Sequence, residues 1–325
     1  MVNIAINGFG RIGRTTAKVI LDKHPELKIV AINDLADKKT LKHLFKYDSI
    51  YGTYLKKELR SSFFSKKNPA KLPWKRLKVD IVLECTGQFK DKSAKTHLRA
   101  GAKQVIISAP PKDNKIPIYL PGVNAKDYNP EKDKVVSMGS CTTNALAPIV
   151  KVLDKEFGIK AGFLNTVHSY TPSQNLADGF HKDLRRARAA AENIIPTTTG
   201  ADEAVELALP NLKGKLDGWS LRVPTEAVSI VDFVVQLEKP VIKIRVNQAL
   251  AKASRSKEMR NVLAVSKEPL VSSDYKESPY SAIVDLNLTQ ANGNLARVLA
   301  WYDNEYGYSS QLANFAEFIA KQLKK

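Results

Sequence analysis

Cys141 and His168 are the residues of this 325-residue chain best suited to do nucleophilic chemistry together. Cys141 stands in Ser140-Cys141-Thr142-Thr143-Asn144, directly ahead of an apolar-periodic segment. That segment carries Leu146, Ile149, Val150, Leu153 and Phe157 and stops at Gly158. The pattern predicts a helix opening at the cysteine, where the helix dipole favours a thiolate. Pro148 lies far enough inside this helix to kink it. His168 ends an apolar run, Gly162–His168, ahead of Ser169-Tyr170-Thr171. An imidazole brought beside the thiol would activate it as a base. The 27 positions between them do not by themselves imply contact. Taken alone, the cysteine also reads as a small buried hydrophobe and the histidine as structural. Cys85, in Glu84-Cys85-Thr86-Gly87 at a strand end, takes that plainer reading.

A second chemistry is written near the N-terminus. Gly8-Phe9-Gly10-Arg11-Ile12-Gly13 fits G-x-G-x-x-G, follows an apolar strand and opens a helix. Asp34 comes after the next strand, 21 positions beyond Gly13. This context, rather than the glycines alone, points to a dinucleotide. Gly8 permits the turn, Gly10 lets backbone approach a pyrophosphate, and Gly13 lets helix and strand pack closely. The helix N-terminus then offers N–H groups and partial positive charge to the phosphates. Asp34 would bind the adenosine ribose hydroxyls and repel a 2′-phosphate, which favours NAD over NADP.

The elements that must position these residues alternate in the first half. Strands are predicted at Val2–Asn7, Lys28–Asn33, Asp80–Glu84, Gln104–Ser108 and Lys134–Ser137, with helices at Arg11–Lys23 and Lys92–Arg99. Such alternation implies an α/β fold with a doubly wound parallel sheet, the Rossmann arrangement. The second half has long runs at Gly162–His168, Val228–Leu237, Ala282–Leu288 and Ala296–Tyr302, which predict an α+β domain with a mainly antiparallel sheet. Ser309–Lys324 reads as an amphipathic helix with Leu312, Phe315, Ile319 and Leu323 on one stripe. The expected division is a nucleotide domain over 1–140, joined by the C-terminal helix 305–325, and a catalytic domain over 141–304.

Composition narrows the class. No stretch approaches the roughly 20 apolar residues of a membrane helix. Met1–Arg14 reads as a first strand and turn, not a signal peptide. Two cysteines exclude a disulfide framework and fit a reducing cytoplasm. The formal net charge of +18 attracts anions, phosphorylated metabolites and nucleic acid among them. No zinc finger, RNA-recognition motif or heptad-bearing basic region accompanies it.

Longer motifs surround these residues: INGFGRIGR, SCTTN, HSYT, HKDLRRARAAAENIIPTTTGA, LRVPT and WYDNEYGYS. Together they resemble the phosphorylating, NAD-dependent glyceraldehyde-3-phosphate dehydrogenases, and the resemblance covers nearly the whole chain. It implies oxidation of glyceraldehyde 3-phosphate, with inorganic phosphate and NAD, to 1,3-bisphosphoglycerate through a Cys141 thiohemiacetal and thioester. It implies that Thr171 and Arg222 hold the substrate phosphate. Ser140, Thr142, Thr199 and Gly200, with Arg188 close by, would hold the attacking phosphate. Asn304 would hold the nicotinamide carboxamide, while Thr86, Ser108 and Lys67 would line the cofactor path. The segment Thr171–Asn193 resembles a loop that crosses a subunit interface, which implies a homotetramer. The alternatives are an erythrose-4-phosphate dehydrogenase on the same scaffold, or a basic RNA-binding side role. Three departures from the family pattern stand out. Tyr51–Lys71 is shorter than usual, Phe180 replaces a proline, and Ser137-Met138-Gly139 replaces Ser-Asn-Ala.

Overall fold

Strand β1 (Val2–Asn7) leaves none of Ile4, Ala5 or Ile6 accessible to solvent, which suits a strand buried on both faces of a parallel sheet. The computed structural model describes residues 1–113 and 115–323 of the chain. These fold as two compact units, Met1–Ser140 with the chain from Ser309 onward, and Cys141–Tyr308.

In the first unit β1 leads into α1 (Arg11–Lys23) and β2 (Leu27–Asn33). Helix α2 (Lys38–Lys46) starts at Asp37, whose carboxylate accepts from the N–H groups of Lys39 and Thr40. Such a cap stabilises a helix by about 1 kcal/mol. A hairpin of β3 (Tyr47–Asp48) and β4 (Gly52–Thr53) follows, then β5 (Ser62–Phe64), β6 (Ile81–Glu84), the single turn α3 (Thr96–Arg99), β7 (Gln104–Ile107) and β8 (Val135–Ser137). Six strands form one sheet in the order β5-β2-β1-β6-β7-β8, and every pairing along it is parallel. The shortened Tyr51–Lys71 segment thus supplies an edge strand, β5, paired with β2. The helix predicted over Lys92–Arg99 is a 3₁₀ turn, Lys92–Lys95, before α3. Gly101 follows at positive φ, where a Cβ would strike Lys75.

Under the sheet's C-terminal edge lies a buried polar chain. The Trp74 indole N–H donates to His97 Nδ1 at 3.0 Å, and His97 Nε2 lies 3.0 Å from Glu84 Oε2. Glu84 also accepts from Asn7 Nδ2 at 2.5 Å and from both the N–H and hydroxyl of Thr86. These donors satisfy a carboxylate that would otherwise be costly to bury.

The second unit opens with α4 (Cys141–Phe157), which runs through Pro148 as one element. After it come β9 (Ile159–Ser169), β10 (Ile195–Thr198), α5 (Ala201–Ala208), β11 (Leu216–Val223), β12 (Ser229–Leu237), α6 (Lys243–Ser254), β13 (Leu263–Ser266), β14 (Ala282–Asp285), β15 (Gln290–Asn292) and β16 (Leu295–Tyr302). Seven strands run β10-β11-β9-β12-β16-β14-β13, and β15 pairs with β16. The sheet is mixed and mostly antiparallel, with β11–β9 and β13–β14 parallel. The predicted Ala282–Leu288 strand ends at Asp285, because Asn287 and Leu288 turn back onto Asp285. The last helix, α7, spans Tyr306–Gln322 and buries Leu312, Phe315 and Ile319. Its predicted end at Lys324 lies outside the described residues.

Candidate functional site

The side-chain period of two decides which residues meet on the second unit's sheet. Cross-strand partners share a face. His168 on β9 is opposite Arg222 on β11, and Thr166 is opposite Val231 on β12. Val231 is in turn opposite Ala300 on β16, two residues before Tyr302. His168, Thr166, Arg222 and Tyr302 therefore project from one face, and α4 packs on that face. The helix brings its first residue to the histidine: Cys141 Sγ lies 3.3 Å from His168 Nε2.

The histidine of this pair is buried and the cysteine partly exposed. His168 is 3% exposed, and the Tyr302 ring meets its imidazole edge-on at 5.9 Å between centroids. The Tyr302 hydroxyl lies 2.8 Å from both Thr142 Oγ1 and Thr166 Oγ1, tying the first turn of α4 to β9. Burial pushes the Cys141 thiol above its ordinary pKa, against the opposing pull of the Arg222 charge and of the Thr142 hydrogen bonds. Burial, with Arg222 beside it, draws the His168 imidazole down to about 3. Burial also holds Arg222 below its ordinary pKa, and the charge of Arg186 acts in the same direction.

The Arg222 cation lowers the pKa of each of the two groups. Arg222→Met should therefore move every inflection of Cys141 alkylation by iodoacetamide to higher pH. A profile that stays in place or moves down would show that the guanidinium charge is not felt at the pair.

Around the pair, Asn304 is buried and its Oδ1 accepts from Ser169 Oγ at 2.9 Å and Ser229 Oγ at 3.2 Å. Two hydroxyl donors on the oxygen leave the NH₂ as the end suited to a ligand carbonyl. Thr171 is partly exposed and its hydroxyl meets Ser173 Oγ at 2.9 Å. Thr199 Oγ1 accepts from Ala201 N–H at 3.2 Å, and an added Cβ on Gly200 would meet no atom within 4 Å. Ser140 is partly exposed immediately before the nucleophile, whereas Thr142 is buried against Tyr302. Arg188, expected beside the attacking phosphate, instead reaches Asp178 Oδ2 at 2.8 Å with a largely exposed side chain. Arg186 is the guanidinium whose charge reaches Arg222, and its Nε donates to Thr197 Oγ1 at 2.7 Å.

The sequence reading missed Arg186, Tyr302, Thr166 and Ser229. Tyr302 was the most accessible of them. It falls in the inward phase of the Ala296–Tyr302 alternation.

The first unit carries a cleft of about 840 Å³ at the C-terminal ends of β1, β2 and β6. Asn7, Gly8, Gly10, Asn33, Asp34, Lys67, Cys85 and Thr86 help to line it. Gly8 has φ +91°, and a Cβ there would lie 2.6 Å from Thr86 N. A Cβ on Gly13 would lie 2.2 Å from Gly8 O, whereas one on Gly10 would meet nothing within 4 Å. Backbone is thus bare where a pyrophosphate would come. Helix α1 has no side-chain cap and no acid in its first turn, which suits an anion at that terminus. Asp34 Oδ2 accepts from Phe9 N–H at 2.7 Å, which fixes the carboxylate at the cleft wall. These features fit a dinucleotide. The Arg11 side chain is engaged elsewhere, on Asp48 at 2.8 Å and over the Tyr51 ring, and Ile12 is partly buried behind the turn. Ser108 follows β7, and its hydroxyl bonds the Cys85 thiol. Burial pushes that thiol up to about 12, which suits an inert cysteine.

Comparison with known proteins is consistent across the chain. Residues 2–92 match the family model "Glyceraldehyde 3-phosphate dehydrogenase, NAD binding domain", and residues 140–304 match the corresponding C-terminal domain. A glyceraldehyde-3-phosphate dehydrogenase of Geobacillus stearothermophilus is 50% identical over 335 residues, spanning 99% of each chain. One from Streptomyces avermitilis is 47% identical over 99% of each. The chloroplastic A form of Chlamydomonas reinhardtii is 47% identical over 99% of this chain and 89% of its own.

Proposed function

This chain belongs to the glyceraldehyde-3-phosphate dehydrogenase family, and we propose that its Cys141–His168 pair carries the chemistry of an NAD-dependent, phosphorylating aldehyde oxidation. The enzyme acts on glyceraldehyde 3-phosphate and inorganic phosphate. The observation that carries the assignment of roles is the 3.3 Å Sγ–Nε2 contact at the opening of a buried helix.

Each step then has a residue suited to it. His168 Nε2 takes the thiol proton as Cys141 sulfur bonds to the aldehyde carbon, and then gives that proton to the resulting oxyanion, which leaves a neutral imidazole and a thiohemiacetal. The Cys141 backbone N–H and the His168 ring stabilise that oxyanion before protonation. His168 next removes the hydroxyl proton as hydride departs, which leaves a thioester on Cys141. Bound NAD supplies the two-electron acceptor. A phosphate oxygen then attacks the thioester carbon, the carbon–sulfur bond breaks, and the sulfur recovers its proton from His168.

Gly8, Gly10 and Gly13, with the backbone of Arg11 and Ile12, would cradle the pyrophosphate. Asp34, Lys67, Thr86 and Ser108 would serve the rest of the nucleotide, and the Asn304 NH₂ the carboxamide. Thr171 and Arg222 would hold the substrate phosphate. Ser140, Thr142, Thr199 and Gly200 would receive the attacking one, with Arg186 in the part first given to Arg188. The first unit would act as the NAD-binding domain and the second as the catalytic domain. NADH formation from glyceraldehyde 3-phosphate should require inorganic phosphate. Equal turnover without it would sink the phosphorylating mechanism.

A homotetramer accounts for apolar surface left open in the single chain. Phe163, Trp219 and Val234 share the outer face of the large sheet and are 66%, 50% and 38% exposed. Leu176, Phe180 and Leu184 are exposed in the loop before β10. Such patches mark interfaces. Sedimentation of the chain as a monomer at micromolar concentration would refute the assembly. Among the described residues no helix is long and apolar enough to cross a membrane. The cytoplasm suits a mechanism that needs Cys141 reduced, and cell fractionation would check it.

A further inference from the structure

Behind the cofactor cleft lies a histidine–glutamate pair that the reaction steps above do not use. Its hydrogen bonds run in one direction throughout. The Trp74 indole can only donate, so His97 Nδ1 accepts, and the ring hydrogen sits on Nε2 facing Glu84 Oε2. The Glu84 carboxylate can only accept, so Asn7 turns its NH₂ toward Oε2. That leaves Asn7 Oδ1 to accept from Asn33 Nδ2 at 2.7 Å. Asn33 Oδ1 in turn accepts from the Lys66 N–H at 2.8 Å, and its NH₂ also donates to Lys66 O at 3.0 Å. The chain thus crosses the ends of three neighbouring strands, β6, β1 and β2. Trp74, His97, Glu84 and Asn7 are at most 1% exposed, whereas Lys66 is exposed. The outer members, Asn7, Asn33 and Lys66, line the cleft, as do Asp34 and Lys67.

We propose that Glu84 and His97 are positioning residues for the cofactor: the orientation they impose on the Asn7 and Asn33 amides pins the Lys66–Lys67 loop to the end of β2 before NAD arrives. This rests on the reading that NAD occupies that cleft. A loop already held loses less freedom when a ligand binds, so the ligand binds more tightly. The direction of the chain carries the effect. Thr86 offers both its N–H and its hydroxyl to Glu84 Oε1, so Oε2 is the oxygen that fixes Asn7. With an NH₂ in place of Oε2, Asn7 has to turn its own oxygen inward, toward that NH₂ and toward His97 Nε2. Asn33 then turns as well, and its NH₂ opposes the Lys66 N–H. The mismatch passes to the exposed end of the chain, where water relieves it and the loop comes away from β2.

The test uses the full-length enzyme, amide hydrogen exchange without cofactor, and calorimetric titration with NAD. In Glu84→Gln the Lys66 amide should exchange about tenfold faster or more, while the Ile4 and Ile6 amides of β1 keep the wild-type rate. The dissociation constant for NAD should rise about tenfold, as expected when buried N–H groups lose their acceptors. Adding Asn7→Asp returns an acceptor to His97, to Asn33 and to the new amide together, so the Lys66 amide should regain its protection. Wild-type exchange at Lys66 or wild-type NAD affinity in Glu84→Gln would overturn the inference. Equal acceleration at Lys66 and along β1, or no recovery in the double variant, would mean a merely structural role. Asn33→Ala cuts the last link alone and leaves the histidine–glutamate pair intact. It should free Lys66 and weaken NAD as well, and a wild-type value for either quantity would refute the positioning role should Glu84→Gln not fold. Asp34→Ala separates the two readings. If it leaves NAD affinity unaltered, the assignment of the cleft fails. If it weakens NAD while Glu84→Gln does not, the positioning role fails alone.

Discussion

Cys141→Ser should lower turnover by about 10⁴-fold or more, roughly 5 kcal/mol in transition-state stabilisation, while NAD affinity stays near the wild-type value. A hydroxyl fits the volume of the thiol but keeps its proton under these conditions, so no strong nucleophile forms. It also makes an ester where the mechanism needs a thioester, a better acyl donor to phosphate. The cleft proposed for most of the cofactor is lined by first-unit residues, none of them from α4. Binding and turnover should therefore separate cleanly. Isothermal titration with NAD and steady-state NADH formation measure the two quantities. A serine enzyme within tenfold of the wild type would end the covalent mechanism.

The second large effect is at the base. His168→Asn should cost about 10²–10⁴-fold in kcat, the usual worth of positioned proton transfer. The loss should fall on the step in which the thiohemiacetal hydroxyl is deprotonated as hydride leaves. Aldehyde deuterated at C1 should then show a primary isotope effect in the variant that is larger than in the wild type. Asparagine keeps a polar group near Cys141 sulfur, so a fold-wide collapse is not expected, and an unchanged melting temperature would verify this. Turnover within a few-fold of wild type, or an unaltered isotope effect, would remove His168 from the reaction. Because burial and the Arg222 charge lower the His168 pKa, the variant should also lose the inflection of that group from its pH–rate profile.

Much of this was legible before any coordinates. Helix α1 was expected over Arg11–Lys23 and occupies those residues, because Gly10 frees its start and its apolar face repeats at helical spacing. The strands β1, β6, β7 and β8 were read to within a residue or two of their ends, since buried parallel strands are short, continuous apolar runs. Helix α5 and strands β10, β11 and β13 were not read. The strands among them are short or interrupted by polar residues, and β10 and β11 take their places by pairing with each other and with β9.

Local pattern thus determined the glycine turn, the helix opening at Cys141 and the strand ending at His168, because each depends on residues within a few positions. Tertiary structure decided what those elements meet. Sheet register put Arg222 opposite His168, and alternation put Tyr302 on the face that α4 covers. It also set Arg186 on Thr197 with its charge felt at Arg222, and Arg188 on Asp178, though the two lie in one arginine-rich loop. Side-chain direction and electrostatic environment are set by contacts made across tens of residues, which no short motif encodes.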